Sequence, residues 1–260
     1  MRLMRNPLRC VVLCGLALSV ATPAALTHAA EPKREVIGRS LSGKPIHCEV
    51  FGDGSDVLLI LATIHGNEAA GTPLVAEFSK WLAAHPEELE GRRVAIIPVA
   101  NPDGMAKNQR FNDNEVDLNR NFPAGNFGDA DVKPHGDTPL SEPESRAIMR
   151  ALCQYFPNRV VSIHQPLDCV DYDGPAEGLA TAMADACPLK VKKLGGLPGS
   201  LGSFVGMTLK RPIITLELPK DAPHDGPAVW QQYGPALIAA LRYDGGAETP
   251  SRDGVESSKQ

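Results

Sequence analysis

The chain has 260 residues, 43% hydrophobic and 22% charged, with 24 Gly, 23 Pro and a formal net charge of −5. That composition excludes collagenous and wholly disordered chains, and a net negative charge with only 5% aromatics speaks against broad nucleic-acid binding or a base-stacking platform. The length suffices for one core-burying domain of moderate size or two small ones.

Arg2, Arg5 and Arg9 make a basic start, an apolar run follows from Cys10 to Leu26, and Thr27-His28-Ala29 supplies a small-x-small cleavage signal. This layout predicts a signal peptide over residues 1–29, and with it a periplasmic or secreted location. The run is short and broken by Pro23, so no stable membrane anchor is expected. Removing residues 1–29 takes away three arginines and moves the net charge from −5 to −8. Cys48, Cys153, Cys169 and Cys187 remain, an even number that permits disulfides in an exported chain without choosing their pairing. None forms a C-x-x-C pair, which speaks against a thiolate zinc site.

Two runs, Arg34–Arg39 and Ile46–Phe51, predict a hairpin turning through Ser42-Gly43. Val57–Thr63, Val94–Ala100, Val160–His164 and Pro212–Leu218 are short, rich in β-branched residues and bounded by turn signals, as buried strands are. Helices are expected over Thr72–Ala84, Glu142–Phe156, Ala176–Ala186 and Pro227–Tyr243, the second opened by a Ser141/Glu144 capping box with Pro143 in its first turn. Strand–helix alternation implies an α/β sheet with helices on both faces. Residues 101–140, rich in Asn, Asp, Gly and Pro, read as a long irregular stretch, which in a compact domain is usually functional. Residues 30–245 are expected to form one catalytic domain, and 246–260 a disordered polar tail.

His65 and Glu68, spaced H-x-x-E, follow directly on the first buried strand, where ligands to one ion can converge from a turn entering a helix. By itself this pattern also fits a surface His beside a capping Glu. His164 ends another strand and would complete a zinc site of three protein ligands with one open position, or it is a structural strand-end histidine. Glu217 sits in the apolar strand PIITLEL, as a general base or as an outward-facing carboxylate. Arg110, Asn119 and Arg120 in the irregular stretch suit the reading of a carboxylate or an oxyanion, or are solvated charges in a turn-rich loop.

Taken in order, H-x-x-E, NPDG, R-x-N, VDLNRNFP, a strand-end His and T-L-E-L resemble the signature of the zinc carboxypeptidases, the M14 metallopeptidases, from about Arg34 to Tyr243. The resemblance implies an α/β fold with a mixed, mostly parallel central sheet and helices on both faces. It implies one zinc ion on His65, Glu68 and His164, with Glu217 as general base and Arg110 polarising the scissile carbonyl. It also implies Asn119 and Arg120 gripping a terminal carboxylate, and Asp117 orienting the first ligand histidine. The segments His164–Pro175 and Pro198–Gly206 are similar to a compact group in the family that cleaves the γ-D-glutamyl–meso-diaminopimelate bond of murein peptides. The implied partner is therefore a murein tripeptide or a related small peptide with a free terminal carboxylate. Asp168, Asp171 and Asp173 either meet the ammonium of diaminopimelate or are solvated loop acids. Tyr172 does not match the position of the tyrosine of digestive carboxypeptidases and takes no catalytic role.

Three other readings stand beside this one: a general metallocarboxypeptidase, a zinc deacylase of N-acyl amino acids, and a zinc-dependent peptide-binding protein. VDLNRNFP speaks against the deacylase, and Glu217 with Arg110 against a binding-only protein. Ser200 and Ser203 lie among glycines without a G-x-S-x-G elbow, so a serine hydrolase is unsupported. Oligomeric state is open.

Overall fold

The computed structural model describes residues 31–128 and 135–245. The expected signal peptide and the 246–260 tail lie outside the described residues. Seven strands form one sheet: β1 (Lys33–Arg39), β2 (Pro45–Phe51), β3 (Asp56–Ala62), β4 (Arg92–Ile97), β5 (Arg159–His164), β6 (Leu167–Asp173) and β7 (Ile213–Pro219). Their spatial order is β1-β2-β4-β3-β5-β7-β6. The central strands β4, β3, β5 and β7 run parallel, and β1, β2 and β6 pair antiparallel at the two edges. The mixed, mostly parallel sheet is thus as expected, and so is the β1–β2 hairpin, with an irregularity between Val36 and Gly38.

The run Val57–Ala62 is apolar at every position because both faces of β3 are covered. Leu58, Ile60 and Ala62 pack under α1 (Gly71–Ala84), α4 (Glu177–Asp185) and α5 (Gly226–Arg242). Val57, Leu59 and Leu61 pack on the other side, against α3 (Pro143–Tyr155) and the segments carrying Leu118, Phe122, Leu201 and Phe204. Each buried Val, Leu, Ile or Phe side chain here contributes roughly 1.5–3 kcal/mol by leaving water. Arg159, at the start of β5, ion-pairs with Asp56 and donates to the carbonyls of Ala240 and Leu241, tying the end of α5 to the sheet.

Four of the expectations need correction or refinement. The capping box does not form. Glu142 is the N-cap of α3, and the Glu144 carboxylate is instead taken by the Leu41 N–H and the Asn112 amide. The stretch 101–140 is not irregular throughout: the Asn101 side chain accepts from Gly104 N and opens a short helix, α2 (Pro102–Lys107). The acidic segment after His164 is not a loop but strand β6. The four cysteines are all free thiols, with Cys48 and Cys169 buried.

Candidate active site

Parallel register brings the chemistry together. His164 at the end of β5 lies beside Glu217 on β7, and Ala62 at the end of β3 lies beside Ile163. The chain leaving β3 therefore delivers His65 and Glu68 to the same edge of the sheet, where α/β folds place their ligands. Gly66 is required there: a Cβ would collide with the backbone of Gly104 and Met105.

His65, Glu68 and His164 each offer a ligand atom, and these atoms all lie within 4.8 Å of one another. All three residues are buried. Each imidazole is held from behind by its Nε2: His65 by Asp117 Oδ1 at 2.9 Å, and His164 by Ser162 Oγ at 3.0 Å. Nδ1 of both rings consequently faces Glu68, at 2.8 Å from Oε1 for His65 and 2.9 Å from Oε2 for His164. His65 Nδ1 is buried without a hydrogen bond, an orphaned donor atom of the kind that a metal satisfies. Two neutral imidazoles and one carboxylate, oriented by outer partners, fit zinc.

Arg110 bridges the carboxylates behind the cluster. Its Nη1 donates to Glu68 Oε1 at 2.8 Å, and its Nε and Nη2 to Asp117 Oδ2 at 3.2 Å each. Three of its five N–H donors are thus used, and the side chain is 37% exposed, so two donors remain for a ligand. Burial alone would push the Asp117 carboxyl up, but the His65 hydrogen bond and the charges of His65, Arg110 and Arg120 outweigh it and hold Asp117 ionised. Asn119 spends its Oδ1 on Leu201 N at 2.9 Å, and its amide nitrogen has no partner among the described residues. Arg120 beside it gives one N–H to the Asn119 carbonyl.

Glu217 is 7% exposed and accepts from Leu167 N at 3.3 Å. Burial pushes its carboxyl above the ordinary carboxylate range; the His164 charge and the Leu167 bond offset this only in part. A raised carboxyl pKa suits a group that must take up and return a proton near neutrality.

One cleft of about 220 Å³ is lined by the ligand cluster, Arg110, Asn119, Arg120 and Glu217 together. The expected metal-site residues, Arg110, Asn119, Arg120 and Glu217 therefore meet in one place, with Asp117 behind His65 rather than in the lining. Asp171 and Asp173 also line the cleft, whereas Asp168 is exposed and does not. Two supporting residues were missed. Ser162 orients His164 from two positions back on the same strand face, a period-2 relation visible in VVSIH. Gln165 donates its backbone N–H to Glu68 Oε2 at 3.2 Å, and its side chain accepts from Ala70 N, a role with no local sequence signal.

Three protein ligands that leave one position open, a buried carboxylate and a cationic end in one cleft define a metal-dependent hydrolase. The sequence profile of the zinc carboxypeptidases (peptidase M14) matches residues 25–167, which contain all three ligands; Glu217 lies beyond it. The chain is 35% identical over 218 residues to murein peptide amidase A of Escherichia coli K12, covering 78% of this chain and 88% of that protein. It is 32% identical to murein peptide amidase A of Vibrio campbellii, covering 81% and 86%. The crystal structure of murein-tripeptide amidase from E. coli O157 superposes with a TM-score of 0.63 at 30% identity, over 86% of this chain and 98% of that one. Carboxypeptidase A of Helicoverpa armigera shares the fold with a TM-score of 0.68 at 20% identity, over 82% and 69%. The chain belongs to the zinc carboxypeptidase family and is a metallopeptidase-type enzyme.

Proposed function

We propose that the chain is a zinc-dependent amidase that hydrolyses the γ-D-glutamyl–meso-diaminopimelate bond of murein peptides. The observation that carries the reading is the single cleft in which a zinc-type ligand set, a buried carboxylate and an Arg120/Asn119 pair face one another. The match over 88% of the length of murein peptide amidase A supports this substrate over a general peptide.

His65, Glu68 and His164 would hold one zinc ion. Bound zinc supplies Lewis acidity to the scissile carbonyl and lowers the pKa of a water toward neutrality. Glu217 takes the proton from the attacking water and returns it to the departing amine nitrogen. Arg110 turns its two remaining N–H groups to the carbonyl oxygen as negative charge develops there. Arg120 and the Asn119 amide hold the terminal carboxylate of the substrate, which fixes the register of the scissile bond. Asp117 keeps the Nε2–H tautomer of His65 and the reach of Arg110. The basic start and apolar run of residues 1–29 support export to the periplasm or beyond, where wall-derived peptides occur.

The test is incubation of the purified protein with L-Ala-γ-D-Glu-meso-diaminopimelate beside the L-Lys tripeptide and an ordinary α-linked peptide. Release of free diaminopimelate is expected. Cleavage of the α-linked peptide alone would move the protein to the general metallocarboxypeptidases.

A further inference from the structure

Thr63 is the first residue beyond β3 and stands two positions before His65. Its φ is +55°, in the left-handed region. Six other non-glycine residues share that region among the described residues, and none of them is β-branched. A β-branched side chain there crowds its own backbone, whereas glycine takes the conformation freely. The chain nevertheless keeps threonine, at a fully buried position. Strain of this kind persists only where the surroundings over-determine it, and it gathers at functional sites.

Backbone bonds account for the conformation but not for the residue type. Ala62 O and Thr63 O accept from Ala100 N and Asn101 N at 3.0 and 2.9 Å, which holds the chain leaving β3 against the chain leaving β4. Glycine would make the same bonds, but it lacks the hydroxyl. Thr63 Oγ1 lies 2.8 Å from Thr72 Oγ1, in the first turn of α1, and 3.5 Å from the Glu68 carbonyl oxygen. Thr72 Oγ1 donates its one proton to Pro98 O at 2.9 Å, so Thr63 is the donor between the two hydroxyls. The relay from Thr63 through Thr72 to Pro98 closes the base of the loop 63–72. That loop carries His65 and Glu68, two of the three ligands, in a turn closed by Glu68 N on His65 O at 3.1 Å.

We propose that Thr63 is a positioning residue for the metal ligands. Its left-handed backbone turns the chain out of β3, and its hydroxyl, clipped to Thr72, holds the His65–Glu68 turn in the arrangement that one ion needs. Strain is retained here because glycine, the residue that would relieve it, would open the clip. With the clip open the loop samples other arrangements, and the apparent affinity for the metal falls by the fraction of time the ligands spend apart. The proposal rests on the zinc site and is independent of which peptide is cleaved.

The experiment measures the zinc Kd by competition with a chromophoric chelator, beside the melting temperature of the metal-free protein. The variants are Thr63→Gly, which relieves the backbone and deletes the hydroxyl, Thr63→Ser, which keeps the hydroxyl, and Thr72→Val, which removes its partner. Loss of one neutral hydrogen bond corresponds to a Kd about three- to tenfold higher, the result expected for Thr63→Gly and for Thr72→Val. Thr63→Ser is expected to bind zinc within about twofold of the parent. The double variant Thr63→Gly/Thr72→Val is expected to fall well short of the product of the two single effects, because both remove the same bond. A merely structural role would lower the melting temperature and leave the zinc Kd unmoved, and that result overturns the proposal. So does a Thr63→Ser protein that binds zinc as weakly as Thr63→Gly. Should Thr63→Gly not fold, Thr72→Val decides: zinc binding within about twofold of the parent overturns the clip. A parent protein that binds no zinc overturns the metal site and the proposal with it, an outcome distinct from failure of the clip alone.

Discussion

Asp117 supports more of the site than any other single side chain, so Asp117→Asn is an informative perturbation. Oδ1 accepts from His65 Nε2 and from Asn119 N, each at 2.9 Å. Oδ2 accepts from Arg110 Nε and Nη2 at 3.2 Å each. An asparagine keeps the volume but must turn its NH₂ toward one of these sets of donors. Facing Arg110, the NH₂ opposes two N–H groups of a cation. Facing His65, it drives the ring to the tautomer protonated on Nδ1, the atom that belongs to the metal. Either orientation removes the negative charge from behind the ligand. Loss of such an outer partner typically costs 10–100-fold in metal affinity, about 1.4–2.8 kcal/mol. We therefore expect the zinc Kd, measured by competition with a chromophoric chelator, to rise about 10–100-fold. At saturating zinc, kcat/KM is expected to stay roughly tenfold low, because Arg110 either loses two of its three anchors or holds them on a neutral amide oxygen in place of a carboxylate. A variant that binds zinc within twofold of the parent and turns over at the parental rate would refute the role of Asp117.

Four further outcomes are expected. Glu217→Gln should lower kcat by about 10²–10⁴-fold with zinc content unchanged, read by metal analysis beside the rate assay; unchanged turnover would remove Glu217 from its role. Because burial raises the Glu217 pKa and the ionised form is the base, activity should fall as pH drops through a value above the usual 4.5, placing the acid limb of kcat/KM higher than for an exposed glutamate. A limb at or below the ordinary carboxylate value would contradict this. Arg120→Ala should raise KM on the order of 10–10²-fold for a substrate with a free terminal carboxylate, and leave the already poor amidated analogue nearly unaffected. Ser162→Ala should weaken zinc binding about tenfold without altering the substrate preference, since it touches only His164 Nε2.

Much of this architecture was legible because its signals are local. The apolar runs VLLILAT, VVSIH and PIITLEL are buried on both faces, and the sequence marks them without alternation. The four long helices end within one residue of their expected bounds; Pro in the first turn marks the starts of α3 and α5, and the Asp225 side chain caps α5. β6 was less visible: LDCVDYD carries three acids, and a strand pattern assumes that such residues face water. Here Asp171 and Asp173 face a cleft, which composition alone does not reveal. Ser141 and Glu144 carry the capping pattern, but Glu144 is claimed by Asn112 and Leu41 from distant parts of the chain. The same limit applies to Gln165, whose contacts with Glu68, Ala70 and Pro219 are all tertiary. Ligand identities, by contrast, were carried by short motifs whose spacing follows from strand ends, and the parallel register of β3, β5 and β7 then gathers them.

The most direct test of the central claim is diaminopimelate release from L-Ala-γ-D-Glu-meso-diaminopimelate, followed by mass spectrometry through chelation and zinc add-back. Release that stops on chelation and returns with zinc is the predicted result. Release that persists in the metal-free protein, or none at all from folded, zinc-loaded protein, would contradict the account.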